Sequence, residues 1–185
     1  MDEGVAAGLR GQFTTIFLWA GILWLVFIFD KLVNTRIRQR YGLRPRTIGN
    51  FPTLISWLFL HADIAHLRSN FVPLLFFAWL VMLTNNFWLV SLIIVVVQGV
   101  GVWLWGRGDA IFIGASGLIY GYWGYLLSYG FFSGNGRLFA AALVLAWFTR
   151  YTILGIFPQA NTRIAWEGHL FGLIGGLVAA WWLVP

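Results

Sequence analysis

Three short polar segments interrupt an otherwise apolar sequence, and their residue types could support chemistry at a carbonyl group. The first contains His61, His66 and Asn70. The last two are four residues apart, so on a helix they lie on one face. Two hydrogen-bond donors side by side can stabilise an oxyanion. Taken alone, the pair is more simply explained by hydrogen bonds between membrane helices, and His61 by capping or packing of the preceding loop.

The second segment, residues 114–117, places Ser116 between glycines, which leave its hydroxyl and the neighbouring backbone N–H groups accessible. Tyr120 follows one helical turn later, on nearly the same face. A lone serine in such a setting is more often part of a packing seam than a nucleophile. Gly117, Gly121 and Gly124 do form a stripe of small residues at helical spacing, on which another helix could pack.

The third segment carries His169, Gly172 and Gly176 on one helical face. If this face packs on the glycine stripe after Ser116, the histidine reaches the serine. A serine is a weak nucleophile that needs an adjacent base. No carboxylate is placed to complete a triad, because Asp109 lies in a turn and Glu167 points about 200° around the helix from the histidine. The three segments together therefore favour a catalytic Ser-His dyad.

The composition places these segments in a membrane protein. Of 185 residues, 60% are hydrophobic and only 10% are charged, and the mean hydropathy is +0.80. Soluble domains are about one quarter charged. Cysteine is absent, which excludes disulfides, thiolate metal sites and a cysteine nucleophile. The length suits one domain.

Apolar segments of spanning length predict an all-α, polytopic bundle of six transmembrane helices, with both termini on one side of the membrane. The first is expected to be retained as a helix and not cleaved as a signal peptide. The apolar stretch at residues 54–60 is too short to span, so it is predicted to be interfacial or re-entrant. The six predicted spans are residues 13–29, 64–83, 87–105, 114–131, 138–157 and 164–184.

The formal net charge of +6 is concentrated after the first predicted helix. Such juxtamembrane clusters usually contact anionic lipid headgroups, and no nucleic-acid-binding module accompanies this one. We therefore expect lipid partners and no nucleic acid. Basic loops normally stay in the cytoplasm, which would place both termini outside. The cluster holds six of the twelve basic residues: Lys31, Arg36, Arg38, Arg40, Arg44 and Arg46.

In the order and spacing of its three polar segments, the chain resembles the rhomboid family of intramembrane serine proteases. The resemblance covers a core of about residues 13–184 and implies a single rhomboid-like membrane domain over residues 1–185. The resemblance implies that Ser116 is the nucleophile and His169 the general base. It implies an oxyanion hole made by His66, Asn70 and the Ser116 backbone N–H. The matching motif positions are His61, His66, Asn70, Gly114, Ser116, Gly117, His169, Gly172 and Gly176.

The resemblance also assigns supporting roles. Tyr120 would pack on the histidine ring, His61 would order the first loop, and Gly117, Gly172 and Gly176 would permit close approach of two helices. No metal or cofactor is expected, and the partners would be transmembrane substrates. The family's termini are cytoplasmic and its site opens to the other side, against the charge pattern. We expect the family arrangement. The Trp-Arg pair of many relatives is absent from the first loop, where Arg44 and Arg46 stand instead.

Two other functions are compatible with the same residues. Non-catalytic rhomboid-like proteins bind membrane helices, although such relatives lack the serine or the histidine. A small transporter could use His66 and His169 as a proton relay, although the sequence has no inverted repeat. Substrate and oligomeric state are not predicted.

Overall fold

The computed structural model describes residues 3–33, 36–47, 53–148, 154–158 and 165–184, and their fold is helical. Besides the α-helices, short 3-10 helices lie at Trp57–Phe59 and Leu154–Ile156. No strand occurs in these ranges beyond one isolated bridge between Leu43 and Phe112. The α-helices are α1 (Glu3–Val33), α2 (Ile37–Tyr41), α3 (Thr53–Ser56), α4 (Ile64–Met82), α5 (Phe87–Trp105), α6 (Ser116–Phe132), α7 (Gly136–Phe148) and α8 (Trp166–Leu183).

The all-α membrane fold predicted from the sequence is confirmed. Among the described residues, three helices are long and apolar enough to cross a membrane, namely α4, α5 and the Arg10–Val33 part of α1. The predicted bounds of α4, α5, α6 and α8 agree within about two residues. Helix α1 is longer than predicted at both ends. The apolar stretch at residues 54–60 forms only the short α3 and a 3-10 helix, so it does not span, and its interfacial or re-entrant placement stays a prediction.

The fifth predicted helix is wrong at its C-terminal end. Helix α7 is assigned as Gly136–Phe148, and Leu154–Ile156 forms a separate 3-10 helix. Gly155 is buried there, against Tyr120 of α6 and His169 of α8. Residues 149–153 of the predicted helix lie outside the described residues. Within the described residues, six helices have thirteen residues or more, but only three of them meet the length and hydropathy of a span, so the predicted number of six transmembrane helices is confirmed only in part.

Helices α6 and α8 pack at the centre of the bundle with their backbones in contact. A Cβ atom added to Gly172 would lie 2.0 Å from the carbonyl oxygen of Gly117. One added to Gly176 would lie 1.9 Å from the oxygen of Gly121. Neither position has room for any side chain, so these glycines set the distance between the two helices.

The basic loop after α1 is folded onto the protein. Leu43 pairs through both backbone groups with Phe112, in the segment before α6. Arg46 donates hydrogen bonds to the carbonyls of Leu104 and Gly106, at the C-terminal end of α5. A cation is stabilised there because the helix dipole is negative at this end. Contact of this cluster with lipid headgroups stays a prediction, and Arg46 itself remains exposed.

Candidate active site

Ser116 and His169 meet between α6 and α8. Ser116 is the first residue of α6, and His169 lies in the first turn of α8. The Ser116 Oγ atom is 2.7 Å from His169 Nε2, and both side chains are partly buried. The structure thus brings together two residues that are 53 positions apart in the chain.

A backbone carbonyl orients the imidazole. His169 Nδ1 lies 2.9 Å from the carbonyl oxygen of Gly155. Because a carbonyl can only accept, Nδ1 carries the proton and Nε2 is left to accept the Ser116 hydroxyl. On its face the ring stacks against Tyr120, at 4.4 Å between centroids and 23° between planes. The imidazole is therefore held in one tautomer and one orientation.

Gly155 is a site residue that the sequence analysis missed. A Cβ atom at this position would lie 2.7 Å from the Tyr120 hydroxyl oxygen and 2.9 Å from His169 Nδ1. Only a glycine lets the carbonyl approach so closely. Gly155 contributes a backbone carbonyl oxygen, which every residue type has, so the sequence gives no signal for it. The group that orients His169 is therefore not one of the carboxylates among which a third triad residue would be expected.

His66 and Asn70 line the space beside the start of α6. A Cβ atom on Gly114 would lie 2.8 Å from His66 Nε2 and 3.3 Å from Asn70 Nδ2. Gly114 has φ of 109°, a conformation that favours glycine. The buried Asn70 Nδ2 group makes no hydrogen bond to any residue that the structure describes. Two side-chain nitrogens thus border the backbone two residues before Ser116.

The His66 tautomer follows from its other ring nitrogen. Nδ1 accepts the backbone N–H of Ala62 at 3.4 Å, so the proton of the neutral ring lies on Nε2, toward Gly114. The carboxylate of Asp63 caps α4 by accepting the His66 backbone N–H at 2.8 Å. This hydrogen bond is the main reason why the pKa of Asp63 is lowered. The cap was not predicted, although an aspartate before a helix is its usual signal.

His61 is a buried packing residue, and its ring centroid lies 5.1 Å from that of His66. Its Nδ1 is 3.3 Å from the carbonyl oxygen of Phe59. Burial, followed by the nearby His66, lowers the pKa of His61 from 6.5 to about 4. It is therefore neutral at physiological pH.

Two polar contacts that the sequence analysis did not anticipate hold the first turn of α8. Gln98, fully buried in α5, donates to the carbonyl of Gly168 at 3.1 Å. Arg107, in the loop before α6, pairs with the buried Glu167 at 2.7 Å. Both contacts fall on residues that immediately precede His169, so they fix the part of α8 that carries the imidazole.

The arrangement can perform nucleophilic attack on a carbonyl. A serine hydroxyl donates to a neutral imidazole, and hydrogen-bond donors lie nearby to receive a developing negative charge. No group of three His, Asp or Glu side chains that could hold a metal occurs among the residues described.

Known proteins resemble the chain over most of its length. Residues 49–185 match the model of the Rhomboid domain. Uncharacterized proteins of Mycobacterium bovis and Mycobacterium tuberculosis are each 35% identical over 180 residues, covering 92% of this chain and 74% of theirs. An uncharacterized protein of Mycobacterium leprae is 32% identical over 183 residues, covering 91% of this chain and 70% of its own.

Proposed function

Because the chain belongs to the rhomboid family of intramembrane proteases, we propose that it is a serine endopeptidase that cuts membrane proteins with a Ser116–His169 dyad. The observation that carries the proposal is the 2.7 Å contact between Ser116 Oγ and an imidazole whose other nitrogen is occupied. We also propose that the chain acts as one rhomboid-like domain, with transmembrane proteins as substrates and membrane lipids as its surroundings.

In the proposed mechanism, Ser116 Oγ loses its proton to His169 Nε2 and attacks the carbonyl carbon of the scissile peptide bond. His66, Asn70 and the Ser116 backbone N–H stabilise the oxyanion. The C–N bond then breaks, and His169 returns the proton to the leaving amine. Water attacks the acyl-enzyme with His169 again as base, which releases the carboxylate product and restores the Ser116 hydroxyl.

The orienting group in this mechanism is a carbonyl and not a carboxylate. The Gly155 oxygen accepts the Nδ1–H while the imidazole becomes charged, so it stabilises the imidazolium through a dipole. Tyr120, stacked on the ring, keeps Nε2 directed at Ser116. A dyad supported in this way needs no third ionisable residue.

The substrate must expose a peptide bond that a helix normally shields with its own hydrogen bonds. We therefore expect cleavage near Gly or other small residues that weaken a transmembrane helix.

We further propose that the site opens to the non-cytoplasmic side of a cell membrane. An enzymatic reporter fused to the C-terminus tests this orientation, since a reporter active outside the cell would contradict it.

The deciding experiment compares the wild type with Ser116→Ala and His169→Ala in liposomes that contain a helical reporter substrate. Both variants should lose cleavage, and a fluorophosphonate should label only chains that retain Ser116. Ser128→Ala, which removes another serine of α6, is the matched control and should cleave normally. Cleavage retained by Ser116→Ala would refute the assignment. A wild type that neither cleaves nor reacts would indicate a protein that only binds membrane helices.

A further inference from the structure

Two cations of the basic loop converge on one backbone carbonyl. Lys31, in the last turn of α1, donates from Nζ to the oxygen of Ala62 at 3.0 Å. Arg38, in α2, donates from Nη1 to the same oxygen at 3.3 Å. The Arg38 guanidinium also pairs, through Nε at 3.3 Å, with the buried carboxylate of Asp30. A carbonyl oxygen has two lone pairs, so charged donors from two helices occupy both.

Ala62 is also the residue that fixes the ring of His66. Its backbone N–H donates to His66 Nδ1, as described above, and thereby leaves the ring proton on Nε2, beside Gly114. The contact is long, at 3.4 Å, so a small displacement of Ala62 would break it. Ala62 lies in a loop outside any regular helix, and helix hydrogen bonds therefore do not hold it in place.

We propose that Lys31 and Arg38 are positioning residues for the reaction, which hold Ala62 so that His66 presents an Nε2–H donor to the oxyanion. The inference rests on the proposed function, because the oxyanion arises only in that reaction. It gives these two cations a role inside the protein, where the charge pattern alone indicated lipid contact. Neither residue touches the substrate carbonyl; both act through Ala62.

Release of Ala62 would let the imidazole of His66 exchange tautomers and rotate. The donor would then be present in only part of the molecules, which lowers kcat more than KM because the oxyanion forms after substrate binding. Loss of a complete oxyanion donor costs about 100- to 1,000-fold in kcat. Partial loss through one cation should cost about tenfold, since the second cation still holds the same oxygen.

The test uses Lys31→Met and Arg38→Gln, singly and together, in liposomes of phosphatidylethanolamine with and without phosphatidylglycerol. We expect kcat to fall about tenfold in each single variant and about 100-fold in the double variant, with KM changed less than threefold. Lys31→Arg and Arg38→Lys keep the charged donors and should restore kcat to within about threefold of the wild type. If a neutral substitution prevents folding, these conservative variants still test whether a charged donor at each position is needed.

Arg36→Gln is the matched control, because it removes a charge from the same loop. The exposed Arg36 side chain makes no hydrogen bond to the part of the chain that the structure describes. Its kcat should stay within twofold of the wild type. An equal loss in Arg36→Gln, or a loss that disappears without phosphatidylglycerol, would show that these cations act through lipid and would overturn the proposal.

A second measurement needs no catalysis. The chain has three histidines, so ¹⁵N spectra of histidine-labelled protein can be assigned with single variants. His66 should show a protonated Nε2 and an unprotonated Nδ1 in the wild type, and averaged signals in Lys31→Met/Arg38→Gln. Unchanged His66 signals in the double variant would overturn the proposal. Because the spectra can be recorded in a Ser116→Ala background, this result does not depend on whether the chain cleaves a substrate.

Discussion

Replacement of Gly172 by alanine should separate the two side chains of the proposed dyad, Ser116 and His169. The new Cβ would lie 2.0 Å from the carbonyl oxygen of Gly117, and both groups belong to helix backbones that cannot rotate away. Ordinary contact begins at 3.4 Å, so α6 and α8 must move apart by about 1.4 Å, the difference between the two distances. Transmitted in full, this shift would lengthen the Ser116–His169 contact from 2.7 Å to about 4 Å, beyond a hydrogen bond.

The expected result is a loss of kcat of at least about 100-fold, because misplacement of reacting groups by about 1 Å costs that much. The rate of fluorophosphonate labelling should fall in parallel, since it depends on the same proton transfer. Overpacking should also lower the free energy of unfolding by about 1–3 kcal/mol, so melting in detergent must confirm that the variant is folded at the assay temperature.

Gly168→Ala provides the control. Gly168 adjoins His169 in sequence, but a Cβ there meets no atom nearer than 3.8 Å. This variant should keep nearly full activity, and alanine should slightly stabilise the helix. Full activity in Gly172→Ala, or an equal loss in Gly168→Ala, would refute the reasoning that backbone contact between α6 and α8 sets the catalytic distance.

Three further predictions concern groups around the dyad. Tyr120→Phe keeps the stacked ring and should retain kcat within about threefold, whereas Tyr120→Leu should lose about tenfold in the cleavage assay. Since the pKa of His61 is about 4 in the folded chain and 6.5 when unfolded, the unfolded chain binds more protons between these values. Stability should therefore be full above pH 6.5 and fall by on the order of 3 kcal/mol toward pH 4, and thermal melts of His61→Gln should lack this dependence. Arg107→Met should destabilise the chain by about 3 kcal/mol and Glu167→Gln by less, because only the former leaves a buried carboxylate unpaired; chemical denaturation showing the reverse order would contradict this.

The parts of the site that reside in side-chain types and spacing could be predicted from the sequence. Ser116 precedes a stripe of glycines on one helix, and His169 shares a face with glycines on another. The helical spacing of these glycines indicated that the two helices could pack closely. The all-α membrane fold followed from composition and from the length of the apolar segments. These features need only local regularities of the chain, which a single sequence displays.

Contributions from backbone atoms could not be predicted in the same way. The carbonyl oxygens of Gly155 and Ala62 orient His169 and receive the loop cations, yet any residue has such an oxygen. Long-range side-chain pairs were missed for a related reason. Gln98 reaches Gly168 across 70 positions, and nothing in the local pattern of α5 indicates that partner. The charge cluster after α1 was visible, but which cations fold back onto the protein depends on tertiary structure.

The backbone contact between α6 and α8 also has a consequence for biosynthesis. Ser116 emerges from the ribosome 53 residues ahead of His169, and its hydroxyl has no base until α8 docks. Docking requires that two glycine surfaces fit without side chains between them, which tolerates little error in register. In the proposed mechanism, a chain in which α8 has not docked would carry a serine hydroxyl without its base. Hydrolytic competence would then arise only when α8 is in place, which would protect neighbouring membrane proteins while the bundle is being assembled.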